Sequence, residues 1–134
     1  MTRILTLTVT IALSLAASAQ DQSFADCLVK TSSKWGAPCE HCHNYIDGYK
    51  RDFSGTYQLD LRNACRDVIE VKVAVQEKNG TWRTFPVRAL GPEESMNAYA
   101  CEGSGKYLYW VRRANDSEIV LPTDREIITA YTGR

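Results

Sequence analysis

The alternation of apolar and polar residues from about position 56 onward predicts a mainly β fold, a small antiparallel β-sandwich or a partly open barrel. Three observations lead there. Ile69, Val71, Val73 and Val75 alternate with Glu70, Lys72, Ala74 and Gln76, the pattern of a strand with one wet face. Asn79-Gly80 follows at once, and this pair is the strongest short hairpin signal, here read as a type I′ turn. Further short β-prone runs then recur between clusters of turn residues, which is the spacing of a sandwich or barrel.

The first nineteen residues are set apart from that pattern. Arg3 is their only charge, Ile4 to Ala17 carries none, and Ala17-Ser18-Ala19 supplies the small side chains of a signal-peptidase site. Residues 1–19 are therefore expected to be a cleaved signal, with Gln20 the first mature residue. The apolar run is shorter than the roughly 20 residues of a membrane span, and Thr6, Thr8, Thr10 and Ser14 interrupt it. Cleavage removes one base and no acid, leaving 115 residues with 15 Lys and Arg against 16 Asp and Glu. That length suits one domain with a real core. The interspersed charges form neither the basic stripe of a nucleic-acid binder nor a polybasic membrane patch. A periplasmic or extracellular protein without stable membrane insertion is expected.

Residues 20–55 read as a Cys-rich segment, irregular or helical. Phe24, Cys27, Leu28 and Thr31 fall at helical spacing, suggesting a short amphipathic helix. Ser32-Ser33-Lys34 and Gly36-Ala37-Pro38 read as loop. Tyr45, Tyr49 and Phe53 fit one helical face or period two equally well.

Residues 56–134 read as the β domain. Tyr57, Leu59 and Leu61 mark a strand, followed by the one at Ile69 to Gln76. Trp82 to Leu90 returns as its partner, with Pro86 pointing to an edge or a bulge. Gly91-Pro92-Glu93-Glu94 turns, Met96 to Cys101 makes a short strand, Gly103-Ser104-Gly105 turns, and Lys106 to Arg113 is strongly β-prone. Asn115-Asp116-Ser117 turns again into a strand at Glu118 to Leu121. Thr123 with Glu126 three residues on is a capping box, opening a terminal helix whose Ile127, Ile128 and Tyr131 should face the sheet.

Asn63-Ala64-Cys65, Gly80-Thr81-Trp82, Ala100-Cys101 and Gly105-Lys106-Tyr107-Leu108 lie within Tyr57 to Arg113. This stretch resembles small exported bacterial β-domains of unknown function. The resemblance implies compartment and fold class and no activity.

Five cysteines in an exported domain of this size lead first to disulfides. Cys65 and Cys101 each end a strand and are expected to pair. Cys27, Cys39 and Cys42 are then an odd set, and the string Cys39-Glu40-His41-Cys42-His43 supports four readings. One disulfide among the three leaves a thiol that is buried, free or bonded to another chain, the last giving a dimer. Alternatively Cys39-x-x-Cys42-His43 resembles the attachment motif of c-type cytochromes, with thioethers at the two cysteines and His43 on the iron. In that case only Met96 stands out as a distal ligand. Zinc is the third reading, held by Cys27, Cys39, Cys42 and either His41 or His43. The fourth makes Cys39 and Cys42 a redox pair tuned by His41.

Nothing else reads as catalytic. Both histidines belong to that cluster, so no Ser–His–Asp triad can be built elsewhere. Glu93-Glu94 decorates a turn, and no phosphate-binding loop is present. Asn79-Gly80-Thr81 and Asn115-Asp116-Ser117 are formal glycosylation acceptors on turns. The strand at 106–113 places Tyr107, Tyr109 and Val111 on one face and Leu108, Trp110 and Arg112 on the other. One face must be core; the second is covered by the Cys-rich segment or forms a ligand platform, with Tyr107, Tyr109, Trp110 and Arg112 as its contact residues. The functional expectation is thus a non-enzymatic exported module, stapled by disulfides, that binds an unknown protein or surface ligand or serves a structural role. The alternative is a metal, haem or redox protein centred on Cys39, Cys42 and His43.

Overall fold

The computed structural model describes residues 24–134; the expected signal peptide, 1–19, lies outside the described residues. A single 3-10 turn at Phe24–Cys27 leads into strand β1 (Leu28–Trp35). There follow β2 (Tyr45–Ile46), β3 (Lys50–Arg51), β4 (Tyr57–Asn63), β5 (Ile69–Glu77), β6 (Trp82–Thr84), β7 (Arg88–Leu90), β8 (Ser95–Ala100), β9 (Gly103–Arg113) and helix α1 (Asp124–Tyr131). They form two antiparallel sheets and a separate small hairpin, not a closed barrel.

In the first sheet β4 is central, with β1 and β8 as its edges. In the second, β5 is central: β9 pairs along one edge, while β6 and β7 share the other. The split between β6 and β7 has a local cause. Ala74 lies opposite Thr84 and Val71 opposite Arg88, so two β5 residues face Phe85, Pro86 and Val87. Proline has no N–H for the ladder and is accommodated as a one-residue bulge. The edge or bulge expected at Pro86 is a bulge.

The main core lies between the sheets. Tyr57, Leu59 and Leu61 of β4 and Met96, Ala98 and Ala100 of β8 meet Ile69, Val71, Val73 and Val75 of β5, with Leu90 and Leu28. Each fully buried aliphatic side chain contributes about 1.5–3 kcal/mol relative to exposure. A second cluster covers the outer face of β5: Ala74, Trp82 and Ile127, with Leu108, Trp110 and Tyr131 against them. Burial of both faces of β5 makes it the centre of a three-layer arrangement, sheet on sheet on helix.

The capping box is present: the Glu126 backbone N–H donates to Thr123 Oγ1, and the Glu126 side chain reaches back to the Thr123 N–H. Lys72, 5% exposed on β5, reaches the carboxylate of Asp124 in the helix's first turn. Trp82 Nε1 donates to the Tyr131 carbonyl (2.9 Å) and fixes the other end of α1. Ile127 and Tyr131 face the sheet as expected, but Ile128 is exposed, because the docked face is only about one residue per turn wide.

Several expectations are corrected. The helix expected at Phe24 to Thr31 is a single turn, and Ser32-Ser33-Lys34 is strand, because Leu28 to Trp35 pairs with β4 from Asn63 back to Tyr57. Interstrand hydrogen bonds outweigh a weak helical spacing. The segment 20–55 therefore contributes a strand to the sandwich. The Asn79-Gly80 turn is not type I′: it closes as Gly80 N–H to Glu77 C=O at 3.0 Å, and only Gly80 takes positive φ. Asn79 Oδ1 instead accepts from the N–H and hydroxyl of Thr81. Gly103 to Gly105 begins β9 instead of turning, and Glu118 to Leu121 is not a strand. In that last segment the Ile119 carbonyl accepts from the Arg112 guanidinium, not from a strand N–H.

Candidate functional site

The antiparallel register of β4 and β8 decides the cysteines. Tyr57 pairs with Ala100 and Arg62 with Ser95, so the end of β4 and the end of β8 lie at opposite ends of the sheet. Cys65, eight positions past Tyr57, is thereby on the order of 25 Å from Cys101, at about 3.3 Å per strand residue. A disulfide spans less than about 7 Å between Cα atoms. The expected Cys65–Cys101 bridge is therefore wrong. Cys65 pairs with Cys27, which sits where Leu28 meets Asn63 (Cα–Cα 5.1 Å), and Cys101 pairs with Cys42 (5.5 Å).

These bridges also disperse the Cys/His cluster. Cys27 lies at the end of the sandwich remote from Cys42, and both thiols are consumed in separate disulfides. The proposed zinc set of Cys27, Cys39, Cys42 and His41 or His43 is not assembled, and among the described residues no three His, Cys, Asp or Glu groups converge as ligands. Cys42 has no free thiol for a haem thioether, nor does it pair with Cys39 as a redox couple. Met96 is buried in the core. Cys39 is the one free cysteine and is 4% exposed. His43 is exposed, while His41 stacks on Tyr99 with centroids 4.8 Å apart.

The disulfide Cys42–Cys101 instead braces a long loop between β1 and β4. Gly36 N–H donates to Thr56 C=O at 3.0 Å, Gln58 Nε2 to the carbonyls of Ala37 and Pro38, and Asn44 Nδ2 to Cys101 C=O at 3.0 Å. The loop carries the β2–β3 hairpin, in whose turn Asp47 and Gly48 both take positive φ. Asp47-Gly48 was a legible hairpin signal, and neither spacing expected for Tyr45, Tyr49 and Phe53 holds, since Tyr45 lies in β2, Tyr49 in the turn and Phe53 beyond β3. Tyr45, Ile46 and Tyr49 are exposed, Tyr49 by 83%, and Arg51 lies over the Tyr45 ring.

The four residues expected to form a ligand face on β9 separate into two environments. Trp110 packs against Tyr131 and lies beneath α1, and Arg112 pairs with Glu70 (3.0 Å) and donates to the Ile119 carbonyl. The covering element is thus the terminal helix, not the Cys-rich segment. Tyr107 and Tyr109 lie half-buried at the flank where the β1 and β9 edges come together, their rings 6.2 Å apart. Two residues not singled out from the sequence join them. Lys30 of β1 places its ammonium 5.8 Å from the centre of the Tyr107 ring. Trp35, 53% exposed, rests on Tyr57 (4.8 Å) and against the backbone of Gly105. Gly105 has φ +90°, and a Cβ there would stand 3.1 Å from the Trp35 ring, so the close approach requires glycine.

Partly buried carboxylates around the sandwich are held ionised by local donors. Hydrogen bonds from Asn97 and then Ser32 keep Asp60 below the usual carboxylate range on the outer face of the first sheet. The Asn115 N–H and then Arg112 do the same for Glu70. These groups are hydrogen-bond acceptors locked in place. No protein-family model, curated protein or solved structure matches the chain.

Proposed function

We propose that the protein is an exported, disulfide-stapled, non-enzymatic binding module whose contact surface is the flank displaying Trp35, Tyr107 and Tyr109. The signal-like pattern of residues 1–19 supports export, and two disulfides are compatible with an oxidising compartment. The reading is carried by one observation: an exposed Trp35 beside the partly buried rings of Tyr107 and Tyr109, with Lys30 over Tyr107, held on a scaffold stapled at both ends. Rigid aromatic side chains give large contact area at small entropic cost, which is why they concentrate at binding hot spots. The braced loop beside Trp35 follows the same logic, since long structured loops on rigid scaffolds commonly carry contacts. The ligand is a protein or another surface component outside the cytoplasm.

Photocrosslinking tests this. p-Benzoylphenylalanine would replace Trp35 or Tyr109 in the protein expressed in its native envelope, with Val120, 82% exposed on a distant segment, as control. The same discrete adduct is expected from positions 35 and 109 and none from 120. No adduct at either flank position, or the same adduct at 120, refutes the assignment.

A further inference from the structure

Next to the Trp35 flank, and sharing Gly105 and Tyr107 with it, the first residues of β9 form one wall of a notch of about 370 Å³, closed by β6 and the end of α1. We infer that this notch is a binding site for a small molecule with a flat apolar body and one anionic group. It goes beyond the module reading: it shares Tyr107 with that flank but rests on its own lining.

The walls are apolar and pre-set. Trp82, Leu108 and Tyr131 line it, with the Trp82 and Tyr131 rings edge-to-face at 6.3 Å. Trp82 cannot rotate freely, because its Nε1 is held by the Tyr131 carbonyl, and Tyr131 is backed by Trp110 at 5.9 Å. Gln76 nearby is already satisfied: its amide donates to the Arg134 carbonyl and its oxygen accepts from Ser104. The charged groups in the lining are Lys106 and Arg134. Neither is in an ion pair among the described residues, and no Asp or Glu lines the notch. The Lys106 ammonium and the Arg134 guanidinium are donors without acceptor capacity, and the Arg134 carbonyl is already taken by Gln76, so the two side chains favour a ligand group that accepts. The volume is within the range of small-ligand sites, about 300–1,000 Å³. Two other notches among the described residues differ in kind. One is lined by Glu77 and Glu102, the other by an already paired Glu70 and Arg112.

The test is an amide-resolved NMR titration of the intact oxidised protein with indole-3-acetate, its neutral amide, and tryptamine. Shifts are expected at the Trp82 indole N–H and at Leu108, with the carboxylate binding about three- to five-fold tighter than the amide, the upper part of what one partly exposed charge pair contributes. Lys106→Gln should bring carboxylate and amide within two-fold while leaving the remaining spectrum unchanged. Absence of shifts at millimolar probe, equal response to all three probes, or shifts centred on Trp35 instead of Trp82 would overturn the assignment.

Discussion

Replacing both Cys42 and Cys101 by Ser tests the connectivity and the role of the braced loop together. The bridge closes a segment of 59 residues. Chain-entropy arguments give a cost of about 14 cal/mol/K for closing such a loop, or about 4 kcal/mol at 25 °C, as the ceiling on stabilisation. The actual loss should be smaller. The loop lies outside both core clusters, and Gln58, Asn44 and Gly36 tie it with hydrogen bonds of about 0.5–1.5 kcal/mol each. Without the bridge the loop can therefore detach while the sandwich stays folded, and a net loss of about 2–3 kcal/mol is expected. For a domain of this size that lowers Tm by roughly 8–15 °C. Circular dichroism melts of the oxidised proteins measure the shift, and limited proteolysis should place new cuts between positions 36 and 56. A Tm change under about 3 °C with an unaltered digestion pattern would refute the reasoning. So would a non-reduced peptide map of the wild type joining Cys65 to Cys101.

Further expectations concern other layers of the fold. Ile127→Ala empties a fully buried position between α1 and β5 and should cost about 2–4 kcal/mol by chemical denaturation, whereas Ile128→Ala, on an exposed side chain, should cost under about 1 kcal/mol. Asp52, Asp60, Glu70 and Asp124 all have carboxyls held below their ordinary values of 3.8 or 4.5, so the folded state takes up protons less readily than the unfolded chain. Their stabilisation is full above the ordinary values and is lost as pH falls through the folded ones. Tm measured from pH 7 to 2 should fall in that acid range, and less steeply in Asp124→Asn, which removes the partner of Lys72. Alkylation of the non-reduced protein should modify one cysteine, Cys39, after denaturation and none in the native state, read by intact mass. Gly105→Ala, at φ +90° and against Trp35, should cost at least about 1 kcal/mol and shift the Trp35 indole resonance.

The candidate surface was only half legible. Tyr107 and Tyr109 stood out because a strand with large apolar groups on both faces must cover one of them. Which face is covered depends on where α1 docks, and α1 lies fourteen or more positions further along the chain from Trp110. Lys30 and Trp35 gave no signal, since a polar strand such as Leu28–Trp35 has almost no buried face and its strand state comes from pairing with β4.

What the sequence by itself determined is what local chemistry controls. Period-two alternation marked β4 and β5, the missing N–H of Pro86 marked the bulge, and Thr123 with Glu126 marked the start of α1. Each depends on residues a few positions apart. The disulfide pairs, the burial of Cys39, the separation of Cys27 from Cys42 and the meeting of Lys30 and Trp35 with β9 were decided by tertiary structure alone. The antiparallel register sends Cys65 and Cys101 to opposite ends of one sheet and brings each beside a cysteine from the N-terminal segment. Spacing along the chain carries no record of that, because adjacency across strands is set by which strands pair and in what register.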